Sequence, residues 1–224
     1  MNDQQFSKFD KLMDVYDMLP GFRKYLYARN RGFLGHENSI KTAVMVPLVL
    51  EDKGWSVLFE KRAKTLRRQA GEICFPGGHV ELADPDEQYT ALRESSEELG
   101  ISRSEIEILG TLDIFIASST LMVSPYVGII PKEKVHPNPA EVEQVFTVTL
   151  SKLLNYHPKV YDISLVASPP PDFPYHLIPG GKAYPFRQEH RRQWFYEVDG
   201  WVIWGLTARI LTHFLDVVKQ TGIC

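Results

Sequence analysis

Three carboxylates stand at Glu94, Glu97 and Glu98 within the run Arg93-Glu94-Ser95-Ser96-Glu97-Glu98-Leu99-Gly100. If that run is helical, positions i, i+3 and i+4 fall on one face and the three carboxylates crowd a single patch. Such neighbours repel by about 0.2–0.5 kcal/mol per pair on an exposed helix, so the patch asks for a compensating positive charge. A hard dication such as Mg²⁺ answers that need, because it takes oxygen ligands and keeps several waters, leaving positions for substrate phosphates and an attacking water. Taken alone, the same pattern is also that of a solvated helix face. Arg93 precedes Glu97 by four residues, so it can pair with it or orient another acid such as Asp84. Upstream, Gly77 and Gly78 allow a tight turn whose carbonyl or amide can approach a metal or a phosphate.

Just before that turn, Lys61, Arg62, Lys64, Arg67 and Arg68 form a basic run. By itself it reads as an ordinary solvated loop, although guanidinium groups bind phosphate bidentately. Cys74 is expected to be buried rather than catalytic, since the sequence places no histidine partner for it. His79 beside the glycines has no assigned role. The aromatic group Trp194, Phe195, Tyr196, Trp201 and Trp204 is expected in the core, with one ring available to stack on a base.

The elements that must position these residues follow from periodicity and turn chemistry. Phe6, Phe9, Leu12, Met13 and Tyr16 recur at helical spacing, predicting an N-terminal helix closed by Pro20 and Gly21. Residues 43–50 and 55–60 predict two strands around the turn Asp52-Lys53-Gly54. Phe75-Pro76-Gly77-Gly78 is expected to break regular structure, and a helix is expected over residues 86–99, ended by Gly100 as a left-handed cap. Further strands are predicted at 106–116, 124–130, 144–148 and 194–198, and a final helix at 200–219. The stretch 168–185, with Ser168-Pro169-Pro170-Pro171, reads as an irregular excursion within one domain. This mixture of strands and helices predicts an α+β fold, with residues 1–38 as a helical extension and 39–224 as the main domain.

The chain of 224 residues carries a formal charge of -3, which provides no global field for nucleic acid or an anionic membrane. Any anion binding must therefore be local. Its two cysteines are too few for a disulfide framework and lack zinc-site spacing. The N-terminal residues lack the apolar run of a secretory signal, no segment approaches a membrane span of about 18 apolar residues, and the last residues do not form a peroxisomal address. A cytoplasmic protein without nucleic-acid or membrane partners is the expectation.

Together, Gly78, Asp84, Arg93, Glu94, Glu97, Glu98, Gly100 and Ile101 resemble the signature of the Nudix hydrolases. That resemblance implies an α/β/α sandwich around a mixed sheet, and hydrolysis of a nucleoside diphosphate linked to another group with Mg²⁺ or Mn²⁺. It also implies that Glu94, Glu97 and Glu98 are metal ligands, that the Gly78 carbonyl joins them, and that Arg93 orients them by ion pairing. Asp84 stands where the signature has Glu, the gap to Arg93 is one residue longer, and Ser95 occupies an apolar position.

Leu58, Arg62, Ala63, Arg67, Gly71 and Phe75-Pro76-Gly77-Gly78 resemble the additional motif of the coenzyme A pyrophosphatases within that family, from which Phe59 and Glu60 depart. That subclass tolerates the aspartate and the longer gap. The resemblance continues through residues 118–128, 141–146 and 203–211. It implies hydrolysis of coenzyme A or its thioesters to adenosine 3′,5′-bisphosphate and 4′-phosphopantetheine derivatives. Arg62, Arg67, Gly77 and Gly78 would then contact the substrate. Glu94 or a loop acid, Glu141 or Glu143, would take the proton of the attacking water. ADP-ribose or NADH is the alternative substrate, and a nucleotide-binding module without turnover is the alternative outside enzymes. The N-terminal extension lies outside the resemblance, leaving packing or a homodimer contact as its roles.

Overall fold

The computed structural model describes residues 19–30 and 32–222. It divides into two compact units, Met1–Asn38 and Ser39–Cys224. In the first, residues 19–28 are helical (α1). The expected run from Phe6 to Tyr16 lies outside the described residues, but its expected end is corrected: Pro20 and Gly21 lie within α1 rather than closing a helix. Proline fixes φ near the helical value and removes one donor, and glycine in a helix costs only about 1 kcal/mol, so neither residue must end one.

The second unit is built on an eight-stranded mixed sheet. Its strands are β1 (Ile40–Glu51), β2 (Gly54–Arg62), β3 (Ile73–Cys74), β4 (Gly77–His79), β5 (Glu107–Thr111), β6 (Phe115–Ser118), β7 (Leu121–Ile129) and β8 (Val142–Thr149). The order β3-β2-β1-β7-β5 is extended by β4 on β1, β6 on β7 and β8 on β2. β1 and β7 run parallel from Ile40↔Leu121 to Leu48↔Ile129, whereas the other pairs are antiparallel.

β1 is nearly continuously apolar because both of its faces are covered. Ala43, Met45 and Val49 pack with Ala91 and Leu99 of α2 (Glu87–Leu99). On the other face, Val46 and Leu48 belong to the cluster that holds Ala208, Leu211, Phe214 and Leu215 of the C-terminal helix. A helix on each side of a mixed sheet matches the expected α+β sandwich. β2 alternates in the same way: Leu58 faces the α2 side, while Val57 and Phe59 face the other.

Several expected boundaries change. The glycine turn does not fully interrupt the sheet, because Gly77 and Gly78 pair with Val44 and Ala43 of β1. Absence of a side chain permits that approach, since a Cβ on Gly77 would lie 2.4 Å from the Ala43 carbonyl oxygen. The strand predicted over 106–116 is two, β5 and β6. A short helix, α3 (Leu150–Asn155), and a strand, β9 (Lys159–Leu165), were not anticipated; β9 is exposed throughout, although Tyr161, Ile163 and Leu165 alternate with Asp162 and Ser164 at strand spacing.

The strand predicted at 194–198 extends over Glu189–Val198 (β10) and joins β9 and β11 (Trp201–Ile203) in a second, three-stranded sheet. The final helix, α4 (Gly205–Gln220), begins later than predicted because Asp199 and Gly200, at φ 51° and 81°, form the β10–β11 hairpin turn. The proline-rich stretch contains only short 3₁₀ turns, at Tyr175–Leu177 and Gly181–Ala183. Among the described residues, no helix is long and apolar enough to cross a membrane.

Candidate active site

α2 starts at Asp86, whose carboxylate accepts from the Tyr89 amide at 2.7 Å, and ends at Gly100 with φ 63°. A Cβ on Gly100 would lie 2.0 Å from the His136 carbonyl oxygen, so that terminus accepts only glycine without rearrangement. Fixed at both ends and packed through Ala91 and Leu99, the helix gives Glu94, Glu97 and Glu98 different environments. Glu98 is 4% exposed, whereas the Glu97 side chain is 54% exposed and the Glu94 side chain 16%.

Glu98 Oε2 accepts a hydrogen bond from the Gly77 amide at 2.8 Å, tying the helix to the glycine turn. The next glycine makes room for the other acid: a Cβ on Gly78 would stand 2.2 Å from Glu94 Oε1. Thus the glycine pair and two of the three predicted carboxylates form one surface. Arg93 organises its outer side. Its Nε and Nη2 donate to the two oxygens of Asp84 at 3.1 and 3.0 Å, Nη1 donates to Glu94 at 2.9 Å and Glu97 at 3.4 Å, and Nη2 reaches the His79 carbonyl at 3.2 Å. Asp84 also accepts from the Thr90 hydroxyl and the Glu81 amide, at 2.8 and 3.0 Å. Its hydrogen bond to Arg93, then that from Glu81, hold the Asp84 carboxyl well below the usual range.

Beneath this patch lies an acid that the sequence comparison marked only as a departure. Glu60 is 1% exposed, on the α2-facing side of β2 with Leu58, and pairs in register with Cys74 of β3. The Cys74 thiol donates to Glu60 Oε1 at 3.1 Å, while Glu60 Oε2 is buried without a partner. A charged residue in the apolar run Val57-Leu58-Phe59-Glu60 is the sequence signal that could have singled it out. Cys74 is half-buried, and burial, then Glu60, pushes its thiol above the ordinary range.

Burial raises Glu60, Glu98 and Glu94 above the ordinary carboxylate range. Mutual repulsion adds to it, from Glu60 and Glu94 on Glu98, and from Glu141 on both Glu60 and Glu94; Arg62 partly offsets it at Glu60 and Glu98. Three carboxylates, Glu60, Glu94 and Glu98, therefore share one electrostatic environment with Glu141. Arg62 belongs to that environment, and its Nε is buried without a partner. Glu143, the other loop acid, is engaged instead by Lys61 at 3.0 Å and Lys64 at 3.5 Å, which lower its carboxyl. Arg67 is exposed on the loop between β2 and β3, and no ion pair involving it occurs among the described residues. Ser95 is fully buried with its hydroxyl unpaired, so it fills the apolar position as a small side chain.

Fit to a divalent ion rests on the donor chemistry. Repelling carboxylates with too little countercharge, and a buried carboxylate oxygen lacking a donor, suit a hard oxygen-seeking cation. Their side chains do not converge as a finished cage: among the described residues no three carboxylate, imidazole or thiol groups are grouped to hold one ion. Glu94 Oε1 and Glu98 Oε2 are instead engaged by Arg93 and Gly77.

A family model described as NUDIX domain matches residues 40–166. A protein of Photorhabdus laumondii named uncharacterized Nudix hydrolase NudL is 33% identical over 184 residues, covering 82% of this chain and 87% of that protein. The peroxisomal coenzyme A diphosphatase NUDT7 of Mus musculus is 35% identical over 144 residues, covering 64% of this chain but 60% of the relative. Among solved structures, the NUDIX domain of Shewanella oneidensis NrtR complexed with ADP ribose is 20% identical, covering 59% of this chain and 85% of that one at a TM-score of 0.42.

Proposed function

The chain belongs to the NUDIX family of hydrolases, and from that premise we propose that it cleaves the diphosphate of coenzyme A or its thioesters, with Mg²⁺ or Mn²⁺. The products would be adenosine 3′,5′-bisphosphate and 4′-phosphopantetheine derivatives. The observation that carries the hydrolytic part is the joining of Glu98 to the Gly77 amide with Glu94 seated against Gly78, which sets two carboxylates against the glycine turn. The coenzyme A assignment draws on the Arg62–Gly78 spacing and on similarity to the mouse coenzyme A diphosphatase.

Glu94, Glu97 and Glu98, with the Gly78 carbonyl, are the groups that would hold the ion. When bound, the ion supplies Lewis acidity and neutralises charge on the diphosphate oxygens. Arg62 offers a guanidinium to the substrate phosphates from beside the carboxylates, and Arg67 supplies a second from the exposed loop. Arg93 holds Glu94 and Glu97 in orientation through its fork on Asp84. A water oxygen bonds to one phosphorus, the bridging P–O bond breaks on the opposite side, and the water's proton passes to Glu94 or Glu141. Burial raises the proton affinity of Glu94 against the opposing pull of Arg93, which suits it to that acceptance. A cytoplasmic location completes the reading.

Purified protein with Mg²⁺ or Mn²⁺ should be offered coenzyme A, acyl-coenzyme A, ADP-ribose and NADH, with products separated chromatographically. Highest kcat/KM on a coenzyme A substrate supports the assignment. Rapid turnover of ADP-ribose or NADH without coenzyme A cleavage overturns the substrate and keeps the hydrolase.

A further inference from the structure

A cleft of about 290 Å³ opens between β6, β10 and the first turn of α4, away from the carboxylates. Its size is near the lower end of small-molecule sites. Phe115 and Leu206 form apolar wall and pack against the core cluster on the α4 side of the sheet, whereas α2 packs against the cluster on the opposite side. The sheet therefore lies between this cleft and the face that carries Glu60 and Glu98.

The charge of the cleft is one-sided. Arg191, Arg192 and Arg209 line it, and no carboxylate does, in a chain whose formal charge is -3. Arg192 has a long contact to Asp162 at 3.7 Å, with both side chains exposed. Arg209 has no ion pair among the described residues. Instead its guanidinium carbon lies 4.9 Å from the Trp194 ring centre and 6.0 Å from that of Phe115. Contact with these ring faces restricts the guanidinium without using its N–H groups, which remain available to an acceptor. Concave basic surfaces with low-dielectric walls concentrate anions, and guanidinium forks match phosphate oxygens.

We propose that this cleft is a second ligand site, for a small phosphomonoester with an apolar organic portion. Arg209 and Arg191 take the phosphate, and Phe115 and Leu206 receive the organic body. The site is distinct from the carboxylate centre and does not depend on which diphosphate that centre cleaves.

Calorimetric titration of the full chain in excess EDTA, with AMP, 4′-phosphopantetheine and inorganic phosphate as separate probes, tests the assignment. At least one organic phosphate should bind saturably and more tightly than inorganic phosphate. Arg209→Ala should weaken it by at least about tenfold, in line with loss of a charge-assisted fork, while Glu98→Gln leaves it unchanged. Arg191→Ala, at an exposed strand position, should weaken it in the same direction and decides the matter if Arg209→Ala fails to fold. Absence of saturable binding overturns the proposal, as does equal affinity for inorganic phosphate. Binding that survives both arginine variants but is lost in Glu98→Gln also overturns it.

Discussion

Cys74 donates its thiol proton to Glu60 Oε1 at 3.1 Å across paired strands, and the other Glu60 oxygen is left buried without a donor. Burial raises Glu60 and Glu98 above the ordinary carboxylate range. The folded protein consequently holds protons that the unfolded chain releases, so this contribution to stability is complete below the unfolded carboxylate pKa and is lost as pH rises through the folded values. Metal-free protein in EDTA should show a falling melting temperature from the ordinary carboxylate range upward, and Glu60→Gln should flatten that slope. Saturating Mg²⁺ should raise the melting temperature more at alkaline than at acidic pH, because ligand carboxylates must be deprotonated. A metal-free profile rising with pH would contradict the assignment of buried, proton-holding acids.

Glu98→Gln removes a charge but leaves an oxygen to accept from the Gly77 amide. The fold should persist, and turnover of the best diphosphate substrate should fall by at least about 100-fold, the scale for removal of a preorganised electrostatic contributor. Steady-state kinetics at saturating Mg²⁺, paired with thermal melting, check it. Near-full kcat in a folded variant would remove Glu98 from the centre of the reaction.

The i, i+3, i+4 spacing of the acids, Gly100 as the helix stop and the strand over residues 43–50 were legible because each is encoded in local residue order. What was hidden depended on neighbours distant in sequence. Glu60 carries one local signal, a charge at the end of the apolar run from Val57, but its burial beside Cys74 emerges only when β2 and β3 pair, and nothing local distinguishes Glu141 from Glu143 until Lys61 and Lys64 engage the latter. Asp199-Gly200 is a different case: its hairpin signal was local, but the apolar helix following Gly205 masked it.

Gly78→Ala is expected to damage the site more than an ordinary methyl addition. Its Cβ would fall 2.2 Å from Glu94 Oε1 and 2.3 Å from the carboxyl carbon, so Glu94 must swing away from Arg93 or the β4 backbone must shift. Overpacking of this kind costs about 1–3 kcal/mol. Denaturant unfolding should show that loss, and Mn²⁺ affinity measured by electron paramagnetic resonance should weaken. Unchanged ion affinity would show that Glu94's seat against Gly78 is not needed for binding.

Arg93→Lys tests whether geometry or charge holds the patch together. Lysine preserves the charge but cannot donate in parallel to both oxygens of Asp84 while also reaching Glu94 and the His79 carbonyl. Because Arg93 acts through Glu94 and Glu97, its loss should lower kcat by at least about tenfold, the scale of disturbed supporting contacts around metal ligands, with a smaller change in KM. Mn²⁺ affinity should fall in parallel, a readout that a purely stabilising residue would leave in place once the protein is folded. Asp84→Asn should give a milder defect in the same direction, since its amide retains one acceptor for the fork. If Arg93→Lys binds Mn²⁺ and turns over substrate like the parent protein, positive charge alone suffices, and the five-contact arrangement around Arg93 serves only folding.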